Sequence, residues 1–123
     1  MIRMPMKHLN ALIACALALA PVPALAHAHL DHTQPAAGST VAAPQEVSLF
    51  FSEAVEPRFS SIVVQDAKGT AMQTGKAEVA ADNSANLKVR LKPLAPGVYK
   101  VIWKILSVDT HRTQGSFSFT VGP

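Results

Sequence analysis

Gly97-Val98-Tyr99-Lys100-Val101-Ile102-Trp103-Lys104-Ile105-Leu106 is the stretch that decides the fold. At the two-residue period of a β-strand, Tyr99, Val101, Trp103 and Ile105 share one face, while Val98, Lys100, Ile102, Lys104 and Leu106 share the other. The first set forms the centre of a core with Trp103 as its largest member. Pro93-Leu94-Ala95-Pro96-Gly97 turns the chain into this strand. Beyond Ser107 to Gly115 a last strand, Ser116 to Val121, points Phe117, Phe119 and Val121 inward.

Working outward toward the N-terminus, Leu87-Lys88-Val89-Arg90-Leu91 alternates cleanly with Leu87, Val89 and Leu91 facing the core. Asp82-Asn83-Ser84 reads as a turn before it. Thr70 to Ala80 is a weaker pattern, one or two short edge strands around Gly75. Ser60 to Gln65 is β-branched and ends at the turn Asp66-Ala67-Lys68-Gly69. Glu46 to Phe51 is a half-buried strand with Val47, Leu49 and Phe51 inward, followed by a loop from Ser52 to Pro57. Pro35 to Ser39 is a turn. About seven short strands, with turn signals every ~8–12 residues and no helical period, predict an all-β chain: a small antiparallel sandwich or barrel of Greek-key type.

The 123 residues open with a different composition. Arg3 and Lys7 precede an apolar run from Leu9 to Leu19, then Pro21-Val22-Pro23 and Ala24-Leu25-Ala26. This is the layout of a secretory signal peptide over residues 1–26, cut after Ala26. Residues 27–123 then form one domain exported to the periplasm, and no later stretch approaches the ~20 apolar residues of a spanning helix. Leu12-Ile13-Ala14-Cys15 is a competing lipoprotein-type site, disfavoured because Ala16 to Ala20 continue the apolar run past Cys15. Removal of the leader takes the one cysteine with it, which excludes disulfides and thiolate metal sites. It also takes two cations, leaving nine Lys and Arg against eight Asp and Glu. The basic residues are scattered singly, not gathered into a nucleic-acid footprint.

Cleavage after Ala26 would make His27 the first residue, offering its α-amine and ring Nδ1 as a six-membered chelate. Four histidines follow the leader: His27, His29 and His32 together, and His111 in Ser107-Val108-Asp109-Thr110-His111. In extended backbone Asp109 and His111 point to one side, so a carboxylate and an imidazole converge. Each histidine alone reads as a solvated surface residue; their coincidence with the cleavage site makes them a candidate metal site. Amine, imidazole and carboxylate without sulfur suit Cu(II), with zinc as a tetrahedral alternative. A second geometry uses the amine, two deprotonated backbone amides and His29 as third residue, and needs neither Asp109 nor His111. His32 falls on the opposite face by alternation and is left out. Proton competition predicts that affinity falls through the imidazole range near ~6.5 and is already sensitive below the α-amine value near ~8.

The runs His27 to Leu30, Pro35 to Ser39, Leu49 to Glu53, Gly97 to Trp103, Ser107 to His111 and Gly115 to Val121 together resemble the CopC family of periplasmic copper-resistance proteins. The resemblance implies a seven-stranded, cupredoxin-like Greek-key barrel binding Cu(II) at one end. It implies His27 as ligand through amine and ring, His111 through its ring and Asp109 through its carboxylate. His29 would be a ligand or a close neighbour of the ligands, and Glu53, matching the acid of the family's Phe-Ser-Glu segment, would stand near the site. A CopD-type inner-membrane copper importer is the implied partner. Some members carry a methionine-rich Cu(I) loop. Here Met72 is the one methionine after the leader, so a single Cu(II) site and no separate Cu(I) site are expected. The reading is a non-enzymatic copper carrier. Two other classes compete: a copper-dependent polysaccharide monooxygenase, which also uses an N-terminal histidine, and a metal-free immunoglobulin-like interaction module, which leaves the histidines as accidents.

Overall fold

The computed structural model describes residues 28–123. The leader over 1–26, Cys15 and His27 lie outside the described residues. Eight strands run in chain order: β1 Leu30–Gln34, β2 Thr40–Val41, β3 Glu46–Phe51, β4 Ser61–Gln65, β5 Gln73–Ala80, β6 Asn83–Leu91, β7 Gly97–Leu106 and β8 Arg112–Val121. They form two four-stranded sheets, ordered β1-β3-β6-β5 and β2-β8-β7-β4. The chain crosses between the sheets at every connection except the β5–β6 and β7–β8 hairpins, giving a Greek-key sandwich. All pairings are antiparallel except the short parallel contact of β2 with β8.

The alternation of β7 holds: Tyr99, Val101, Trp103 and Ile105 are buried, as are Val47, Leu49 and Phe51 of β3 and Leu87 and Val89 of β6. Phe51 meets Trp103 edge-on at 5.4 Å between ring centroids, tying one sheet to the other. Tyr99 stacks on its cross-strand partner Phe119 at 5.7 Å, and its hydroxyl donates to the Ala95 carbonyl at 2.6 Å. Leu91 and Phe117 pack against the core only partly buried.

Four boundaries differ from the sequence reading. β1 was not foreseen, because a register shift between Leu30 and His32 breaks its alternation. β5 is one strand, with its irregularity between Thr74 and Glu78 around a left-handed Gly75 (φ 80°). β6 begins at Asn83, shortening the turn before it, and β8 begins at Arg112, four residues earlier than Ser116. In β8 the inward position Gly115 carries no side chain. It lies opposite Trp103, and a Cβ there would stand 2.6 Å from the indole Cζ2. A strand that reserves an inward position for a neighbour's ring shows no apolar alternation.

Candidate metal centre

The β7–β8 hairpin closes at the candidate site. Leu106 pairs with Arg112, the Ser107 N–H donates to the His111 carbonyl at 2.9 Å, and Val108, Asp109 and Thr110 remain as a three-residue loop. The Thr110 N–H donates to the Ser107 carbonyl at 2.9 Å, and Thr110 takes a left-handed φ of 71°. A turn followed by one left-handed residue is a standard three-residue hairpin connection. The backbone is therefore not extended between Asp109 and His111, as alternation alone would have it. Their side chains meet because the left-handed residue between them folds the loop.

Asp109 Oδ1 lies 3.2 Å from His111 Nδ1. Two donors bound at about 2.0–2.1 Å to one ion, at angles between square and tetrahedral, stand roughly 2.8–3.4 Å apart, so the pair fits a shared metal. Both side chains reach solvent, at 35% and 47% exposure. Beneath them Ser107 is fully buried; its hydroxyl donates to Asp109 Oδ1 and accepts the His111 N–H at 3.2 Å. This bond is the largest of the influences that hold the Asp109 carboxyl below the usual carboxylate range. Partial desolvation opposes it, while His111, by hydrogen bond and charge, and Glu53, by hydrogen bond, add to it. Sequence reasoning missed Ser107. A usable signal existed, since it continues the inward series Tyr99, Val101, Trp103, Ile105, where a polar side chain must find a partner.

Two segments flank the hairpin loop. Val55 bridges to Ser107, the Val108 N–H donates to the Ala54 carbonyl at 3.1 Å, and the Glu56 N–H donates to the Leu106 carbonyl at 2.8 Å. Glu53 precedes this tethered segment, and its Oε1 is buried with no partner among the described residues. A buried carboxylate oxygen without a donor suits a site made for a cation. In the other segment Ala28 is buried, and its carbonyl accepts from the Thr113 hydroxyl at 3.3 Å. His29 and Ser52 are joined twice: the His29 N–H donates to Ser52 Oγ and the Ser52 N–H to the His29 carbonyl, both at 2.8 Å.

The structure thus brings Asp109 and His111 together, with Glu53 beside them. His32 lies in β1 with its ring stacked on Phe50 at 4.2 Å. Among the described residues no group of three or more His, Cys, Asp or Glu side chains could hold a metal ion, so the pair and its neighbours do not close a ligand set by themselves.

A family model described as the CopC domain matches residues 30–122. This chain belongs to the CopC family. Among its relatives, Protein YobA of Escherichia coli strain K12 is 43% identical over 101 residues, covering 78% of this chain and 79% of YobA. Copper transport protein CutJ of Bacillus subtilis is 33% identical over 108 residues, covering 86% of this chain but 20% of CutJ. CopC from Methylosinus trichosporium OB3b superposes with a TM-score of 0.73 at 38% identity, covering 79% of this chain and 95% of that one. PcoC from Escherichia coli, described as a methionine-rich copper resistance protein, gives 0.69 at 33% identity, with 78% and 99% covered. Membership of the CopC family ties the chain to copper, and the nitrogen and oxygen donors at the hairpin loop fit that metal. No helix among the described residues is long and apolar enough to cross a membrane.

Proposed function

We propose that this protein is exported to the periplasm, loses residues 1–26, and binds one Cu(II) ion through the amine and ring of His27, the ring of His111 and the carboxylate of Asp109, for buffering or for transfer to a CopD-type inner-membrane importer. The observation that carries the reading is the Asp109–His111 pair at 3.2 Å on a buried serine. Ala28 supports it, because its carbonyl is bound two residues beyond His111, at Thr113.

Cu(II) is favoured over Cu(I) by the donors. Met72 is the one thioether after residue 26, and its N–H donates to the Val64 carbonyl. Val64 pairs with Val101, six residues along β7 from Ser107, or about 20 Å at ~3.3 Å per residue. The partner is supported by CutJ, in which the matched region is a fifth of a copper transport protein. There the domain is covalently part of a larger transport chain, and here it would meet its transporter by docking. We read a carrier site and not a catalytic one, since Asp109 takes a position that oxygen chemistry would need open. The three-residue wrap through His29 is disfavoured, because it requires a deprotonated His29 amide and that N–H is committed to Ser52 Oγ.

The test is chelator competition for Cu(II) with protein beginning at His27, beside the same protein with one extra residue ahead of it. The extension and His111→Ala are each expected to weaken binding by more than the ~10–100-fold that follows loss of a supporting hydrogen-bond partner. Unchanged affinity on extension would remove the N-terminus from the site. A loss on extension but none with His111→Ala would leave the wrap through His29.

A further inference from the structure

The outer face of the sheet β2-β8-β7-β4 differs in charge from that of its partner sheet. Its four strands carry Lys100, Lys104 and Arg112 and no carboxylate, whereas β1, β3, β5 and β6 hold three acidic and three basic residues, Asp31, Glu46 and Glu78 against Lys76, Lys88 and Arg90. Register sharpens the contrast. Lys100 lies between Gln65 and Ser118, Lys104 between Ser61 and Gln114, and Ile102 between Val63 and Ser116. Each lysine is exposed and its cross-strand neighbours are short or neutral. Asp109 with His111 is the ion pair among the described residues, so neither lysine nor Arg112 has a carboxylate partner there. Between the lysines the surface dips into a shallow hollow of about 350 Å³ over Ile102 and Ser116. Val98, on the same face, is 54% exposed.

We infer that this face adsorbs to an anionic phospholipid bilayer, with Lys100, Lys104 and Arg112 on headgroup phosphates and Val98 and Ile102 at the headgroup boundary. Its chemistry favours a bilayer over an acidic protein. The face is a sheet surface of spaced cations and hydroxyls, and it lacks the outward aromatic anchors around which protein interfaces concentrate their affinity. The aromatic residues of β7 and β8, Tyr99, Trp103, Phe117 and Phe119, all take the inward parity. Arg112 adjoins His111, so adsorption would lay the long hairpin along the bilayer and hold the metal pair at the level of the headgroups. The inference concerns adsorption alone, and its test reads no copper.

The exported protein is sedimented with vesicles of phosphatidylglycerol and phosphatidylcholine in equal parts, and with phosphatidylcholine alone. Binding to the anionic vesicles alone is expected, lost as ionic strength rises from about 0.01 M to 1 M and the Debye length shrinks from about 30 to 3 Å. Each lysine near an anionic bilayer contributes roughly fivefold. Lys100→Thr with Lys104→Thr should therefore weaken binding by about 25-fold, while Lys88→Thr with Arg90→Thr on the opposite sheet should change it by less than about twofold. Threonine suits an exposed strand position, and the salt series on the unaltered protein tests the inference without any variant. Absence of vesicle binding, binding that survives high salt, or equal loss in the two double variants would overturn it. Tighter binding to soluble polyglutamate than to the vesicles would overturn it in favour of an acidic protein.

Discussion

Ser107 is a small residue with three obligations. It is buried, it gives its one hydroxyl proton to Asp109, and it receives the His111 N–H. Ser107→Ala removes all of this and leaves the His111 amide short of a partner, at a cost of about 1–2 kcal/mol in urea unfolding near neutral pH. Because the Asp109 pKa is lowered in the folded state, its stabilising bond is fully present above the ordinary carboxylate value near ~3.9 and fades as pH falls through the folded value. The gap between Ser107→Ala and the parent should therefore narrow in acid. Copper affinity should drop by about 10–100-fold, because the carboxylate loses the donor that aims it. A variant with unaltered affinity would show that Asp109 needs no brace. The Asp109 and His111 pair was legible in the sequence as a spacing, but its geometry was not, since nothing in the letters Asp-Thr-His announces that a β-branched threonine will take φ 71°.

At the scale of the element, the β7–β8 hairpin carries both the core and the site. Strand β7 was legible because every second residue from Tyr99 to Ile105 is apolar and buried. The first third of β8 was not, because Gly115 gives its inward place to the Trp103 ring. Gly115→Ala would press a methyl to 2.6 Å and 2.9 Å from two ring atoms of an indole already wedged against Phe51. An aromatic ring cannot swing aside as a flexible side chain can, so a loss of about 1–3 kcal/mol in denaturant unfolding is expected, with quenching or shift of Trp103 fluorescence in the folded state. Unchanged stability would mean that the sheets slide apart without cost. Strand β1 escaped for another reason. It is an edge strand with a shifted register, and among its five residues only Thr33 is buried. Thr33 is polar, so no apolar period survives to be read.

At the scale of the molecule, one end of the sandwich gathers Ala28 and His29, the loop after β3 and the closing turn of the last hairpin. The Cu(II) reading predicts a pH profile for the assembled end. An α-amine and two imidazoles must all shed protons, while Asp109 stays ionised until below its ordinary range. Affinity should fall gradually below pH ~8 and steepen toward about three decades per pH unit well below ~6, as three protons compete with one metal. Chelator competition across pH 5 to 8 checks this, and a flat profile would remove the amine and imidazoles together. The fold class was legible because β3, β6, β7 and the end of β8 repeat one rule of alternation. Which strand ends meet was not, because that depends on connections between sheets that no local pattern encodes.

The hydrogen bond from Thr113 to Ala28 spans 85 residues of sequence. It stitches the start of the described chain to the first turn of the last strand. A metal bound across the same seam would work as a clasp on a nearly closed ring, and closing so long a loop removes more freedom from the unravelled chain than closing a short one. Stretched by its two ends, the protein should give way first at that seam when empty. With copper fastened there, the same pull must break coordinate bonds before any strand peels.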